Sequence, residues 1–113
     1  MHEFDIVQSL IKLISKYAEE NRASAVLSVT IKIGKLSGVE PYLLKTAFDT
    51  FKENTIASGA ELLIDVRDVK IMCKECNKES ILTEFIFICP RCGSFDIETL
   101  DGEGMTLESI TME

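Results

Sequence analysis

The run Leu27-Ser28-Val29-Thr30-Ile31-Lys32-Ile33-Gly34 alternates without a break, Leu27, Val29, Ile31 and Ile33 on one side and Ser28, Thr30 and Lys32 on the other. Period two marks a half-buried strand, one face on a core and one in water, and Gly34 ends it. Upstream the period changes. Between Phe4 and Asn21, Val7, Leu10, Ile11, Ile14, Tyr17 and Ala18 form one helical stripe, and Gln8, Ser9, Lys12, Ser15, Lys16 and Glu19 fill the opposite face. Ile6 and Leu13 widen the stripe, as expected of a helix lying on a sheet. Downstream, Gly34-Lys35-Leu36-Ser37-Gly38 reads as a loop, and Pro41 suits the first position of a second helix with Glu40 as its cap. Leu44, Ala47, Phe48 and Phe51 give that helix a core stripe before Ser58-Gly59 closes it. A second strand carries Leu62, Ile64 and Val66 and continues to Met72 with an irregularity around Asp68. The last strand, Met105 to Met112, changes phase between Leu107 and Ile110, which predicts a bulge. The expected fold class is α+β, with two helices packed on a small, mainly antiparallel three-stranded sheet interrupted by an inserted cysteine-bearing unit.

That insert holds all four cysteines, as Cys73-Lys74-Glu75-Cys76 and Cys89-Pro90-Arg91-Cys92. Two C-x-x-C turns closing on one ion supply the four thiolates of a tetrahedral Zn²⁺ at about 2.3 Å. Gly93 after Cys92 and Asn77 after Cys76 are residue types that tolerate the left-handed backbone such a turn needs. Phe85-Ile86-Phe87-Ile88 is expected to be a strand leading into the second turn. Two disulfides, a redox pair and an iron–thiolate site compete with zinc. A reducing compartment disfavours the first, a redox pair leaves the other two cysteines unexplained, and four thiolates alone do not identify the metal. The insert, 71–95, is shorter than the ~40 residues below which small units usually need a staple. Structural zinc therefore reads as its architectural support, with no open coordination position and so no catalysis.

Composition limits the function. The 113 residues carry 12 Lys+Arg and 19 Asp+Glu, a formal charge of −7, with 46% hydrophobic residues. Within the insert Lys74, Lys78 and Arg91 are matched by Glu75, Glu79 and Glu84, and the residues after it are acidic at Asp96, Glu98, Asp101, Glu103, Glu108 and Glu113. Neither stretch is a phosphate-binding patch, so no nucleic-acid partner is expected. No apolar run approaches the ~20 residues that cross a membrane, and no basic stretch precedes an apolar one at the start, so a cytoplasmic protein is expected. No G-x-x-x-x-G-K-[ST] loop is present, and a single histidine leaves few acid–base options, so the chain is not expected to be an enzyme.

That histidine is His2. On residues alone its plain reading is an incidental polar side chain at a chain end. The chelating reading is that the α-amine, the His2 amide nitrogen and the imidazole close small adjacent rings around an ion that favours tetragonal nitrogen geometry, Ni²⁺ or Cu²⁺. A further amide or a carboxylate from Glu3, Asp5 or Glu40 would complete the set.

Met1-His2-Glu3 opening an amphipathic helix, the run Ile33-Gly34-Lys35-Leu36-Ser37-Gly38-Val39, and the late paired C-x-x-C insert together resemble the HypA/HybF family, nickel-insertion chaperones of [NiFe]-hydrogenase maturation. The likeness spans essentially the whole chain. It implies transported Ni²⁺ at His2, with Glu40 at a position where members carry an acidic residue near the nickel site, and structural Zn²⁺ on Cys73, Cys76, Cys89 and Cys92; Glu3 stays a candidate nickel ligand from the chelating reading alone. It also implies a nickel-binding α+β domain (1–70 plus 96–113) and a zinc-ribbon domain (71–95). The implied partners are a nickel-associated GTPase of hydrogenase maturation and the [NiFe]-hydrogenase large-subunit precursor, with urease accessory proteins as a further class. Some members carry histidines beside the zinc cysteines, where this chain has Lys78 and Ser80. The rival expectation is a zinc-ribbon adaptor in a transcription or RNA-processing complex, which calls for a basic ribbon face.

Overall fold

A computed structural model describes residues 2–113, the His2 side chain excepted. The elements run α1 (His2–Glu20), β1 (Val26–Gly34), α2 (Pro41–Phe51), β2 (Glu61–Arg67), β3 (Val69–Cys73), β4 (Glu79–Leu82), β5 (Ile97–Asp101) and β6 (Met105–Met112). Two three-stranded sheets result, ordered β2-β1-β6 and β4-β3-β5. They sit along a molecule of 53 × 28 × 16 Å.

The first sheet carries both helices. Val7, Leu10, Ile14 and Ala18 of α1 and Leu44 and Phe48 of α2 pack with Val29, Ile31, Ile33 and Leu62 in one buried core. The α+β arrangement follows the periodicity, with Tyr17 at the stripe's edge and 42% exposed. One pairing departs from a mainly antiparallel sheet. β1 runs antiparallel to β6 but parallel to β2, so the sheet is evenly mixed. The cause lies in the connection: a hairpin joins antiparallel neighbours, whereas α2 between β1 and β2 is the crossover that parallel neighbours require.

Two register shifts refine the alternation. The predicted bulge is present, since Thr30 faces Ser109 while Ile31 faces Leu107, leaving Glu108 as the extra residue. A second shift between Val26 and Ser28 reverses the start of β1, so Val26 is buried and Leu27, expected inside, is 44% exposed.

At Asp68 the irregularity is a change of sheet, with β2 ending at Arg67 and β3 starting at Val69. The second sheet has its own small core of Val69, Ile71 and Leu82, with Ile97 packed on it. It includes β3, which runs across the start of the 71–95 stretch, β4 within it, and β5 just after it. Leu36, from the loop after β1, also packs into this core. The Leu36 N–H donates to the Gly102 carbonyl (2.9 Å), the Lys35 N–H to Arg67 (3.0 Å) and the Gly34 N–H to Gly104 (2.8 Å). Arg67 adds an ion pair to Asp101 (3.0 Å). The junction is tight: a Cβ on Gly34 would fall within the Gly102 carbonyl group, and Gly102 adopts φ +95° with Asp68 O only 2.6 Å from where its own Cβ would stand.

Phe85-Ile86-Phe87-Ile88 is not a strand. The segment runs as irregular loop, with Phe85 64% and Ile86 56% exposed. β3 already has β4 and β5 on its two edges, and the chain from Leu82 must instead turn back to bring Cys89 to Cys76.

Candidate metal centre

The four cysteines converge. Cys73 ends β3, Cys76 follows a turn, and Cys89 and Cys92 sit on the turn before β5, with all four sulfurs within 4.8 Å of one another. The Sγ separation is 3.6 Å for Cys73–Cys92 and 3.8 Å for Cys76–Cys89. Disulfides need about 2.05 Å, and all four thiols are free. Four sulfurs placed about 2.3 Å from one centre in a tetrahedron stand about 3.8 Å apart, which these contacts match.

Each turn is built by its backbone. The Asn77 N–H donates to the Cys73 carbonyl (2.9 Å) and the Gly93 N–H to the Cys89 carbonyl (2.8 Å). Both residues take the left-handed conformation expected of them, at φ 58° and 78°. The Arg91 N–H points at the Cys89 sulfur (3.4 Å). Burial pushes the Cys89 thiol up, but the N–H groups of Cys92 and Arg91 and the thiols of Cys92 and Cys76 outweigh it and bring Cys89 down to about 7. At Cys92 the strongest influence, the Ser94 N–H, lowers the thiol, while the bond to Cys73, burial, and the bonds to Cys89 and Cys76 together push it up to about 12. Burial also raises Cys76. Thiols crowded this closely cannot all ionise together without a cation, the behaviour of a metal site before loading. The donor set therefore fits zinc, and Cys73 and Cys89, both buried, would shield it on one side.

The other predicted site residues lie on the first sheet's helices. His2 begins the helical backbone of α1, and its side chain, with Met1, lies outside the described residues. Glu3 is buried, and its Oε2 accepts the backbone N–H of Glu40 (3.3 Å). Glu40 is the N-cap of α2 as expected, its carboxylate accepting from the Tyr42 and Leu43 N–H groups. The fold thus brings Glu3 and Glu40 together and keeps both apart from the cysteine cluster, on the other sheet. Nothing in sequence spacing announces the Glu3–Glu40 contact, since the two are 37 positions apart.

Residues 1–112 match the family model described as "Hydrogenase/urease nickel incorporation, metallochaperone, hypA". The chain belongs to the HypA family. The hydrogenase maturation factor HypA of Aquifex aeolicus is 50% identical over 113 residues, covering 100% of this chain and 98% of that protein. The protein of the same name from Campylobacter jejuni is 42% identical, with 100% of both chains covered. Among solved structures, the Ni metallochaperone HypA of Helicobacter pylori superposes with a TM-score of 0.70 at 32% identity, covering 99% of this chain and 97% of that one. The HypA fold expected from the resemblance is therefore present, as a nickel-metallochaperone family's α+β domain with a four-cysteine metal centre. Among the described residues no helix is long and apolar enough to cross a membrane.

Proposed function

We propose that this chain receives Ni²⁺ at its N-terminus and delivers it to the [NiFe]-hydrogenase large-subunit precursor during hydrogenase maturation. The observation that carries the reading is the family match over residues 1–112, joined to a terminus that is itself a helix start. Nickel is the cargo, held by the imidazole of His2 and the main-chain nitrogens beside it. The first N–H groups of an α-helix have no intrahelical acceptor, so an amide there can release its proton to solvent and bind a metal through nitrogen without breaking a helical hydrogen bond. The helix dipole also favours the negative charge that an ionised amide leaves at that end. Zinc would be held by Cys73, Cys76, Cys89 and Cys92, where it supplies a fixed cross-link between the two turns. The nickel-binding unit spans 1–70 and 96–113, and the zinc ribbon 71–95. The protein acts in the cytoplasm without catalysing a reaction, alongside a nickel-associated GTPase that supplies the nucleotide chemistry this chain lacks.

The test is nickel titration of the zinc-loaded protein. Two uncleaved residues placed ahead of Met1 keep every side chain but convert the amine into a peptide nitrogen. Nickel affinity is expected to fall at least about tenfold, as in His2→Ala, with zinc content and fold unchanged. Unaltered nickel binding in both variants would refute the terminal site.

A further inference from the structure

The four cysteines differ in what reaches them. Cys73 and Cys89 are shut away, at 0% and 1% exposure, Cys76 is half-buried, and Cys92 is exposed. The flanks of Cys92 are open. Gly93 follows it with empty space where a Cβ would stand, and Arg91 before it is engaged elsewhere, its Nε donating to Ser80 Oγ on β4 (3.1 Å). The sulfurs also meet in a defined way. The 3.6 Å contact joins Cys73 to Cys92 and the 3.8 Å contact joins Cys76 to Cys89, so each crosses from one C-x-x-C turn to the other.

Building on the zinc loading proposed above, we infer that the centre is also a peroxide-reactive thiol site: Cys92 is its point of entry, Cys73 resolves it, and the product is a cross-turn disulfide that replaces the metal as staple. Thiolate is the form that oxidants attack, and cysteines committed to a metal are deprotonated. The oxidant is one molecule of hydrogen peroxide. The Cys92 sulfur attacks a peroxide oxygen, the O–O bond breaks and hydroxide leaves, giving the sulfenic acid. The Cys73 sulfur then attacks the Cys92 sulfur; the S–S bond forms, the S–O bond breaks and a second hydroxide leaves. Two thiolates have lost two electrons, the peroxide has gained them, and each hydroxide takes a proton to become water. Cys76 and Cys89 are then the only thiolates left, too few to close a tetrahedral site, and the ion is released. The geometry decides what the lobe keeps. A disulfide within either turn would leave the turns unconnected once the metal is gone. The Cys73–Cys92 bond still fastens the end of β3 to the turn ahead of β5, so Val69, Ile71 and Leu82 keep their packing. A dithiol reverses the reaction by thiol–disulfide exchange.

Zinc-loaded full-length protein is treated with hydrogen peroxide, and released zinc is read with a chromogenic chelator. Dimedone traps sulfenic acid in one aliquot, and mass spectrometry maps the disulfides in another. Dimedone is expected on Cys92 about tenfold above any other cysteine. The first disulfide is expected to be Cys73–Cys92, with zinc release tracking its formation and dithiothreitol restoring zinc binding. The NMR amide dispersion of Val69 and Ile71 is expected to survive in the oxidised protein and to be lost in reduced protein stripped with EDTA. Trapping first on another cysteine, a Cys73–Cys76 or Cys89–Cys92 disulfide, zinc retained after oxidation, or lost Val69 and Ile71 dispersion in the oxidised protein would each overturn the inference, as would inertness to peroxide. Zinc content before treatment separates the two readings. Without one zinc per chain, the zinc reading is wrong and this inference falls with it; with zinc present, any failure above removes the peroxide reaction alone.

Discussion

Gly34→Ala measures how firmly the two sheets are joined. At Gly34 the obstacle to a methyl group is backbone, with the Gly102 Cα 2.7 Å from the added carbon, so no side chain can swing aside. Gly102 cannot retreat either, because Asp68 and Val69 press on its other side. Relief requires lifting the turn between β5 and β6, which breaks the Gly34–Gly104 and Leu36–Gly102 hydrogen bonds and draws Asp101 from Arg67. Overpacking costs about 1–3 kcal/mol. Each lost backbone hydrogen bond adds about 0.5–1.5 kcal/mol. A net loss of about 3 kcal/mol is expected. With an unfolding entropy of about 2.1 cal/mol/K per residue, this lowers Tm by about 12 °C. Calorimetry on zinc-loaded protein reads the shift, with Gly59→Ala as control, since a Cβ there meets open space at an ordinary φ. A fall of less than about 4 °C in Gly34→Ala, with zinc content unchanged, would refute the close-packed junction.

Cys76→Ser is expected to lose zinc and the order of the second sheet while the α1–α2 core stays folded, because its buried members lie outside the cysteine segment; loss of helical circular dichroism on zinc release would contradict this. Asp101 is held below the usual carboxylate range, first by the Gly102 N–H and then by Arg67. A depressed native value contributes stability above the unfolded pKa of about 3.9 that is lost as pH falls through the native value, so Asp101→Asn is expected to flatten the acid limb of the stability curve below about pH 4. An unchanged acid limb in denaturant titrations would remove Asp101 from the junction's electrostatics. Nickel affinity is expected to weaken between about pH 8 and 6, as an imidazole of reference pKa ~6.5 and an amine of ~7.7–8.0 take up protons; a flat profile by titration would point to carboxylate donors.

The sequence carries some of these features openly and conceals others. The α1 stripe, the Glu40 cap with Pro41 behind it and the β6 bulge are local patterns, each set by neighbours a few positions away. The cysteine centre is equally legible, because two tight turns fix which sulfurs can meet and the left-handed Asn77 and Gly93 mark them. Leu27 misleads because it is itself the extra residue of a bulge at the start of β1, where Val26 and Ser28 face the adjacent residues Met112 and Thr111 and the alternation breaks. Phe85 to Ile88 misleads because strand propensity is realised only where tertiary pairing calls on it, and this segment instead runs as loop to carry the chain back and bring Cys89 to Cys76. The Glu3–Glu40 tie is invisible for the same reason: it depends on how two helices pack, and each residue alone reads as an ordinary acidic side chain near a helix start.

The order in which strands join the first sheet has a consequence for biosynthesis. β1 is its middle strand, yet β6, which pairs Met112 with Val26, leaves the ribosome after every other strand of the two sheets. While β1, α2 and β2 are already out, one side of β1 remains a row of unpaired amides and carbonyls, an edge open to any passing strand. The cysteine lobe emerges during that interval. Once its thiols are gathered, β5 lies back along β3 and delivers β6 to the junction, beside the end of β1. The free chain that must be closed is then much shorter, which lowers the entropy opposing a long-range pairing of this kind. Early metal capture by the growing chain would therefore shorten the time this protein spends as an open, aggregation-prone sheet.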